Sequence, residues 1–257
     1  MIIYLSLVAI FFSSMVYGVI GFGDALILIP IIRPIIGIKN AVILVNLWGI
    51  LTALLNFIKY RELLDKGYFI RFLALGIPAT IFGTFLFIKI GLEWIELILG
   101  IFILGYSAIK LNEYFKKKND IEFKKRLNST SPLIIAGGFS YGLLSALISA
   151  VGPLNVAMLE KTGHYRENFI GNFAAIGFSL SIARTPFYFI TDIFPYDLLI
   201  LFLLGFPIIF LGTKFGQKLT PKIPVKKFQV LVFSFLIVIG IKSVLTSVIG
   251  LVFTISS

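Results

Sequence analysis

The chain alternates between long apolar runs and short polar stretches. The apolar runs lack the alternation typical of membrane β-strands, and in hydrocarbon a segment must satisfy its own backbone N–H and C=O groups. The pattern therefore predicts an all-α membrane protein, a polytopic helical bundle of about 8–10 helical segments. The runs cover residues 2–20, 25–36, 41–58, 68–88, 92–111, 133–150, 153–160, 168–190, 196–214 and 226–250.

Two of these runs, 25–36 and 153–160, are too short to cross a bilayer, because a transmembrane helix needs about 20 residues. Each short run follows a glycine-containing segment, Gly21 to Gly23 in one case and Gly152 in the other. Glycine allows backbone conformations that interrupt a helix. We therefore expect broken or re-entrant helices at these two places.

Composition and charge agree with a lipid environment. Hydrophobic residues make up 58% of the chain and charged residues 14%, whereas a soluble domain has about 25% charged residues. The net charge of +11 does not indicate nucleic-acid binding, because the basic residues lie in short loops between apolar runs. The chain has no cysteine, and we expect its single histidine, His164, to lie on the surface of a loop. Neither a metal site nor a cofactor is predicted.

Basic residues also predict the orientation in the membrane. Seven of them lie in the stretch 110–126, and such a cluster between spans marks the cytoplasmic side. Successive loops must lie on alternate sides of the membrane. Counting in both directions from this cytoplasmic stretch places the loop with Asp192 and Asp197 outside, together with both termini. We therefore expect a multi-pass protein of the cytoplasmic membrane. Three further basic stretches fall inside, namely 59–71, 161–166 and 214–227.

Several short motifs recur in the chain at an offset of 129 residues. The motif at Leu75 to Pro78 recurs at Leu204 to Pro207, and the pair Gly83-Thr84 recurs as Gly212-Thr213. At the same offset, Gly23 corresponds to Gly152. Asn46 and Asn172 also match if the intervening loop is three residues shorter in the second half. We therefore predict a first transmembrane repeat at 1–111, a basic cytoplasmic linker at 112–131 and a second transmembrane repeat at 132–257.

The two predicted repeats are expected to be inverted relative to each other. Each half has an odd number of crossings, whether the broken hairpin counts as two passes or as none, so the second copy must start from the opposite side. Inverted repeats with discontinuous helices are the architecture of many secondary transporters, with the substrate site near midplane at the repeat interface.

The broken helices suggest an anion site. A helix N-terminus carries roughly half a positive charge and free N–H groups, and Pro153 is suited to the first helical position. Two such N-termini that meet at mid-depth would attract an anion. The candidate substrate-binding residues are Gly21, Gly23, Asp24, Asn46, Gly152, Pro153, Asn155, Asn172 and Arg184.

Three kinds of candidate residue have alternative interpretations. Asp24, a carboxylate at membrane depth, is expected to couple transport to protons or to cap the helix that follows it. The asparagine amides either bind anion oxygens or make hydrogen bonds between helices. Arg184 either reaches the substrate or extends to the outer interface.

The glycine segments resemble those of the sulfite exporter TauE/SafE family, in which each half opens with G-x-G-G-G followed by proline. Gly21, Gly23 and Pro30 match the first copy, while Gly152 and Pro153 match part of the second. Asn46 and Asn172 occupy the places of the family's small polar motif. Asp24, Ala25 and Ala150 depart from the pattern, standing where glycines are expected. The resemblance implies a secondary transporter that moves sulfite, a sulfonate or a related organosulfur anion.

Other function classes are less compatible with these residues. An enzyme is not expected, because no pair of histidine and acidic ligands at metal spacing and no serine with a histidine partner is present. A channel, a non-transporting membrane accessory subunit and a carrier for a cation stay open as alternatives. The expected partners are a small anion and membrane lipid, with a homo-oligomer possible and nucleic acid excluded.

Overall fold

The computed structural model of the chain describes residues 2–116, 127–128, 131–164 and 166–219, with single residues at 237, 240, 241, 244, 245 and 248. Helix is the only regular secondary structure in these ranges, which confirms the predicted all-α class. Most of the predicted linker and nearly all of the last predicted run, 226–250, lie outside the described residues.

Nine α-helices lie in the described ranges, and each coincides with a predicted apolar run. Short 3₁₀ turns at Arg61–Leu63 and Tyr196–Leu198 precede α4 and α9. The helices are α1 (Ile2–Ile20), α2 (Asp24–Ile36), α3 (Ile38–Tyr60), α4 (Lys66–Lys89), α5 (Leu92–Lys116), α6 (Pro132–Ile148), α7 (Gly152–Lys161), α8 (Arg166–Ile190) and α9 (Leu199–Leu219).

Helix length and hydropathy confirm a polytopic membrane protein. Five segments in the described part of the chain are long and apolar enough to cross a membrane, and α1 and α6 are shorter apolar helices. The order of the elements from α1 to α4 recurs from α6 to α9, including the 3₁₀ turn before the last helix. This recurrence favours the predicted duplication, and the inverted arrangement stays a prediction.

The chain leaves helical geometry for three residues at each break, 21–23 between α1 and α2 and 149–151 between α6 and α7. Gly21 and Gly23 have φ values of +83° and +94°, which a residue with a Cβ adopts only at a cost of roughly 1–2 kcal/mol. Ser149 opens the second break with φ +52°. Glycine therefore explains the first break, whereas Ser149 accepts the left-handed conformation in the second.

Glycines also set the closeness of helix packing within the compact unit formed by Met1–Ile88 and Lys125–Pro221. A Cβ at Gly212 would lie 2.6 Å from the carbonyl oxygen of Phe11, where α9 packs on α1. A Cβ at Gly83 would lie 2.8 Å from the carbonyl oxygen of Leu143, where α4 packs on α6. Gly83 and Gly212 therefore bring helix backbones together at corresponding positions of the two predicted halves.

A second compact unit comprises Lys89–Lys124 and Lys222–Ser257, and α5 is its described helix. Within it, Gly240 lies against the side chains of Leu104 and Ile103. Both compact units take residues from the two predicted repeats, 1–111 and 132–257. The units follow spatial packing, whereas the repeat boundaries follow the duplicated motifs in the sequence.

Candidate functional site

A cavity of about 70 Å³ lies between the two helix breaks. Gly23, Asp24 and Ala25 at the start of α2 form part of its wall, and so do Ala150 and Gly152 at the start of α7. The remaining wall comes from α1, α3, α6 and α8. A cavity needs about 10–15 Å³ on this measure to hold one water, so this one has room for a small polyatomic ion.

Arg184 of α8 contributes a buried positive charge to this cavity, with 4% of its surface exposed. Its Nε donates a hydrogen bond to Oδ1 of Asn46 at 2.5 Å, and its Nη1 donates to the carbonyl oxygen of Ser145. Both acceptors are neutral, and no carboxylate in the described ranges forms an ion pair with Arg184. Since a buried charge is costly without a counter-charge, the guanidinium is suited to an anionic ligand.

Asp24 places a half-buried carboxylate in the wall of the same cavity. The N-cap of α2 is Gly23 and Asp24 is the first helical residue, so the interpretation of Asp24 as the N-cap is wrong. Its carboxylate accepts a hydrogen bond from the hydroxyl of Thr52 at 3.5 Å. The cavity is therefore bordered by side chains of both charge signs.

Two tyrosines that the sequence analysis did not select also line the cavity, Tyr17 of α1 and Tyr141 of α6. The Tyr17 ring lies 6.5 Å from the ring of Phe173, and the Tyr141 ring lies 5.6 Å from that of Phe72. Both tyrosines are followed by glycine and precede a helix break. That repeated Tyr-Gly dipeptide was the signal that would have identified them.

The nine predicted site residues divide into two groups. Gly21 packs in the first break against Ile170, and Pro153 is buried in the first turn of α7. Neither of these two lines the cavity. The structure brings Gly23, Asp24, Asn46, Gly152 and Arg184 to the cavity wall and places Gly21, Pro153, Asn155 and Asn172 outside it.

Asn155 and Asn172 lie outside the wall, and each makes hydrogen bonds to another helix or loop. The side-chain oxygen of Asn155 accepts from the Tyr68 hydroxyl at 3.1 Å. Asn172 accepts from the backbone N–H of Asp65 at 3.0 Å and donates to the carbonyl oxygen of Leu63 at 3.3 Å. Both therefore connect the second half of the chain to the first.

His164, expected on the surface, is buried with 6% of its surface exposed, so that expectation is wrong. Its Nε2 lies 3.3 Å from Oδ2 of Asp65, and its Nδ1 lies 2.8 Å from the hydroxyl of Thr162. The ring of Tyr68 lies 5.2 Å away and covers it. Burial lowers the pKa of His164 below 6.5, although the nearby Asp65 carboxylate acts in the opposite direction. The sequence around His164 is polar, and the side chain becomes buried only because it packs against α4.

The lowered pKa of His164 predicts a loss of stability in acid. Well above pH 6.5 the ring is neutral in both folded and unfolded chains, and it contributes no pH dependence. Below that pH the unfolded chain binds the proton more readily than the folded chain, so the free energy of unfolding falls. We expect His164→Gln, which does not titrate, to lose this part of the pH dependence.

Thermal melting in detergent micelles at pH values from about 5 to 8 measures this difference between the wild type and His164→Gln. The two proteins should diverge on the acid side of the range. Melting curves with the same acid dependence in both proteins would contradict a role for His164 protonation.

A polytopic helical membrane protein with a small polar cavity at two helix breaks has the features of the secondary transporters. The family model of the sulfite exporter TauE/SafE matches residues 6–243, and the chain belongs to this family. Membership confirms the resemblance seen in the glycine segments and implies a membrane transporter of sulfur-containing anions. No curated protein and no solved structure matches the chain.

Proposed function

We propose that the protein is a secondary transporter that moves a small sulfur oxyanion, such as sulfite or a sulfonate, across the cytoplasmic membrane. The anion binds in the cavity between the starts of α2 and α7. The observation that carries this proposal is the buried Arg184, which lines the cavity with only neutral hydrogen-bond acceptors around it. Asp24 borders the same cavity but forms no ion pair with Arg184 in the described ranges, so a bound anion supplies a counter-charge in direct contact with the guanidinium.

The backbone of the two breaks adds to the attraction for an anion. The first residues of α2 and α7 both border the cavity, and each helix N-terminus contributes roughly half a positive charge. Asn46 orients the guanidinium of Arg184 through its side-chain oxygen. Gly23 and Gly152 present no side chain, so the anion approaches the backbone N–H groups closely.

Asp24 couples the transport of this anion to protons. While its carboxylate is ionised, it repels an anion in the same cavity and partly offsets the charge of Arg184. Protonation removes the repulsion, so the proton and the anion bind with positive cooperativity. The hydroxyl of Thr52 donates a hydrogen bond to this carboxyl group and helps to hold it in place.

Asp24→Asn is expected to keep anion transport and to lose its dependence on a proton gradient. Asparagine preserves the size of the side chain and removes the titrating group. Uptake of labelled sulfite into proteoliposomes, with and without a pH difference across the membrane, measures the effect. Asp197→Asn, on the exposed 3₁₀ turn Tyr196–Leu198, is the matched control and should behave as the wild type. Unaltered proton stimulation in Asp24→Asn would remove Asp24 from the coupling mechanism.

Flux through the purified wild-type chain in liposomes tests the function itself. Saturable uptake of sulfite, thiosulfate or a sulfonate, with exchange against the same anion inside, identifies a carrier for that anion. High conductance without saturation would identify a channel, and saturable uptake of a cation would reverse the assignment of charge. Absence of any flux would leave the accessory-subunit interpretation.

A further inference from the structure

The proposed anion site leaves two buried hydroxyl groups without a role. Tyr17 and Tyr141 are 4% and 6% exposed, and both line the cavity. Neither hydroxyl has a hydrogen-bond partner among the residues that the structure describes. Neither oxygen is among the described enclosed side-chain atoms that lack a partner, so both hydroxyls open onto the cavity, where a ligand is the natural acceptor for them.

The two tyrosines reach the cavity from different halves of the chain. Tyr17 belongs to α1 and Tyr141 to α6, the helices that precede the two breaks. Both tyrosines line the same cavity as Asp24 and Arg184. The two hydroxyls, the carboxylate and the guanidinium therefore share one polar space.

Aromatic contacts limit the movement of both rings. Phe173 of α8 lies edge-on to Tyr17, and Phe72 of α4 lies edge-on to Tyr141. A tyrosine has two side-chain torsions, so ring contacts of this kind hold the hydroxyl oxygen within a small region. The donors are thus positioned before a ligand binds.

We propose that Tyr17 and Tyr141 determine specificity by donating hydrogen bonds to two different oxygens of a small oxyanion while Arg184 neutralises its charge. This inference rests on the proposed function and adds the reason for selectivity. An oxyanion carries several acceptor oxygens around one central atom, so donors from α1, α6 and α8 bind it at the same time. A halide also accepts hydrogen bonds, but only at one centre, so donors placed to meet two separate oxygens do not both reach it.

Hydrogen bonds from a hydroxyl to an anionic oxygen are short and strong. A site that is built to make several such bonds discriminates against a ligand that pairs with fewer of its donors, because the remaining donors then stay unpaired. Selectivity for an oxyanion over a halide of the same charge is therefore the property that these hydroxyls control. A purely structural role would give no such difference between two anions.

Tyr17→Phe and Tyr141→Phe test the proposal, since each removes one hydroxyl and keeps the ring and its aromatic contacts. In proteoliposomes we expect each change to raise the KM for sulfite about tenfold or more. The inhibition constant of bromide against sulfite uptake should change by less than about twofold. Tyr60→Phe, at the buried end of α3 and outside the cavity wall, is the matched control and should leave both constants unchanged.

The outcomes separate this inference from the proposed function. If the wild type transports sulfite and the KM is unchanged in Tyr17→Phe and Tyr141→Phe, the inference alone is overturned. An equal loss of affinity for sulfite and bromide in these variants would also overturn the inference alone. Absence of oxyanion flux in the wild type would overturn the proposed function and the inference together. Melting temperatures of the variants in detergent identify any loss of folding, in which case direct binding of sulfite to the folded fraction gives the same comparison.

Discussion

Arg184→Gln is expected to reduce sulfite uptake by roughly a hundredfold or more. The change removes the positive charge from a cavity whose other charged side chain, Asp24, is acidic. A bound anion would then lie in a buried site without its counter-charge, and removing one partner of a buried charge pair costs about 3–5 kcal/mol. The initial rate of labelled sulfite uptake into proteoliposomes measures this effect.

Two further variants separate charge from geometry at this position. Arg184→Lys keeps the charge but loses the planar fork that donates to Asn46 and to the carbonyl of Ser145, so we expect an intermediate rate. Lys39→Gln removes a positive charge from a side chain that donates to the carbonyl oxygen of Ile88 outside the cavity wall, and it should transport as the wild type does. Uptake by Arg184→Gln at the wild-type rate would show that the anion does not bind at this guanidinium.

Gly138→Ala should destabilise the fold more than alanine at a helical glycine that has open space around it. A Cβ at Gly138 would collide with the carbonyl oxygen of Phe72, where α6 packs on α4. The obstacle is backbone, so no side-chain rotation relieves it, and overpacking of this kind costs about 3 kcal/mol. Small residues at such crossings allow the backbones to approach in a membrane. The melting temperature and the monodisperse yield in detergent measure the loss.

Gly105→Ala in α5 is the matched control, because a Cβ there would meet no atom of the described residues within 4 Å. In a helix interior alanine is more favourable than glycine by about 0.5–1 kcal/mol, so this variant should melt at or slightly above the wild-type temperature. Equal melting of Gly138→Ala and the wild type would show that α4 and α6 can separate at this crossing without cost.

The features of the fold that depend on residues adjacent in sequence were predictable from the sequence. The apolar runs at 2–20 and 68–88 became α1 and α4 with bounds at Ile2–Ile20 and Lys66–Lys89, because in lipid a continuous apolar segment must satisfy its own backbone. The short helices after Gly23 and Val151 were visible as runs too short to span. Helix class, helix bounds and the position of the breaks all follow from such local patterns.

Packing between residues far apart in sequence decides which side chains line the cavity. Asn46 and Asn172 are the same residue type and were paired across the halves, yet Asn46 binds Arg184 in the cavity while Asn172 binds the loop at Leu63 and Asp65. The rotation of each helix about its own axis determines which side chains face the cavity, and that rotation is set by contacts with residues far away in sequence.

Packing between residues far apart in sequence also explains why the surroundings of three other residues were not predicted. Tyr17 and Tyr141 face the cavity, and His164 is buried under Tyr68. Apolar periodicity is weak in a helix surrounded by lipid on one side and protein on the other, because both environments favour apolar residues. A chain of this composition therefore specifies its helices and their interruptions locally, whereas only the packed structure determines which polar groups meet.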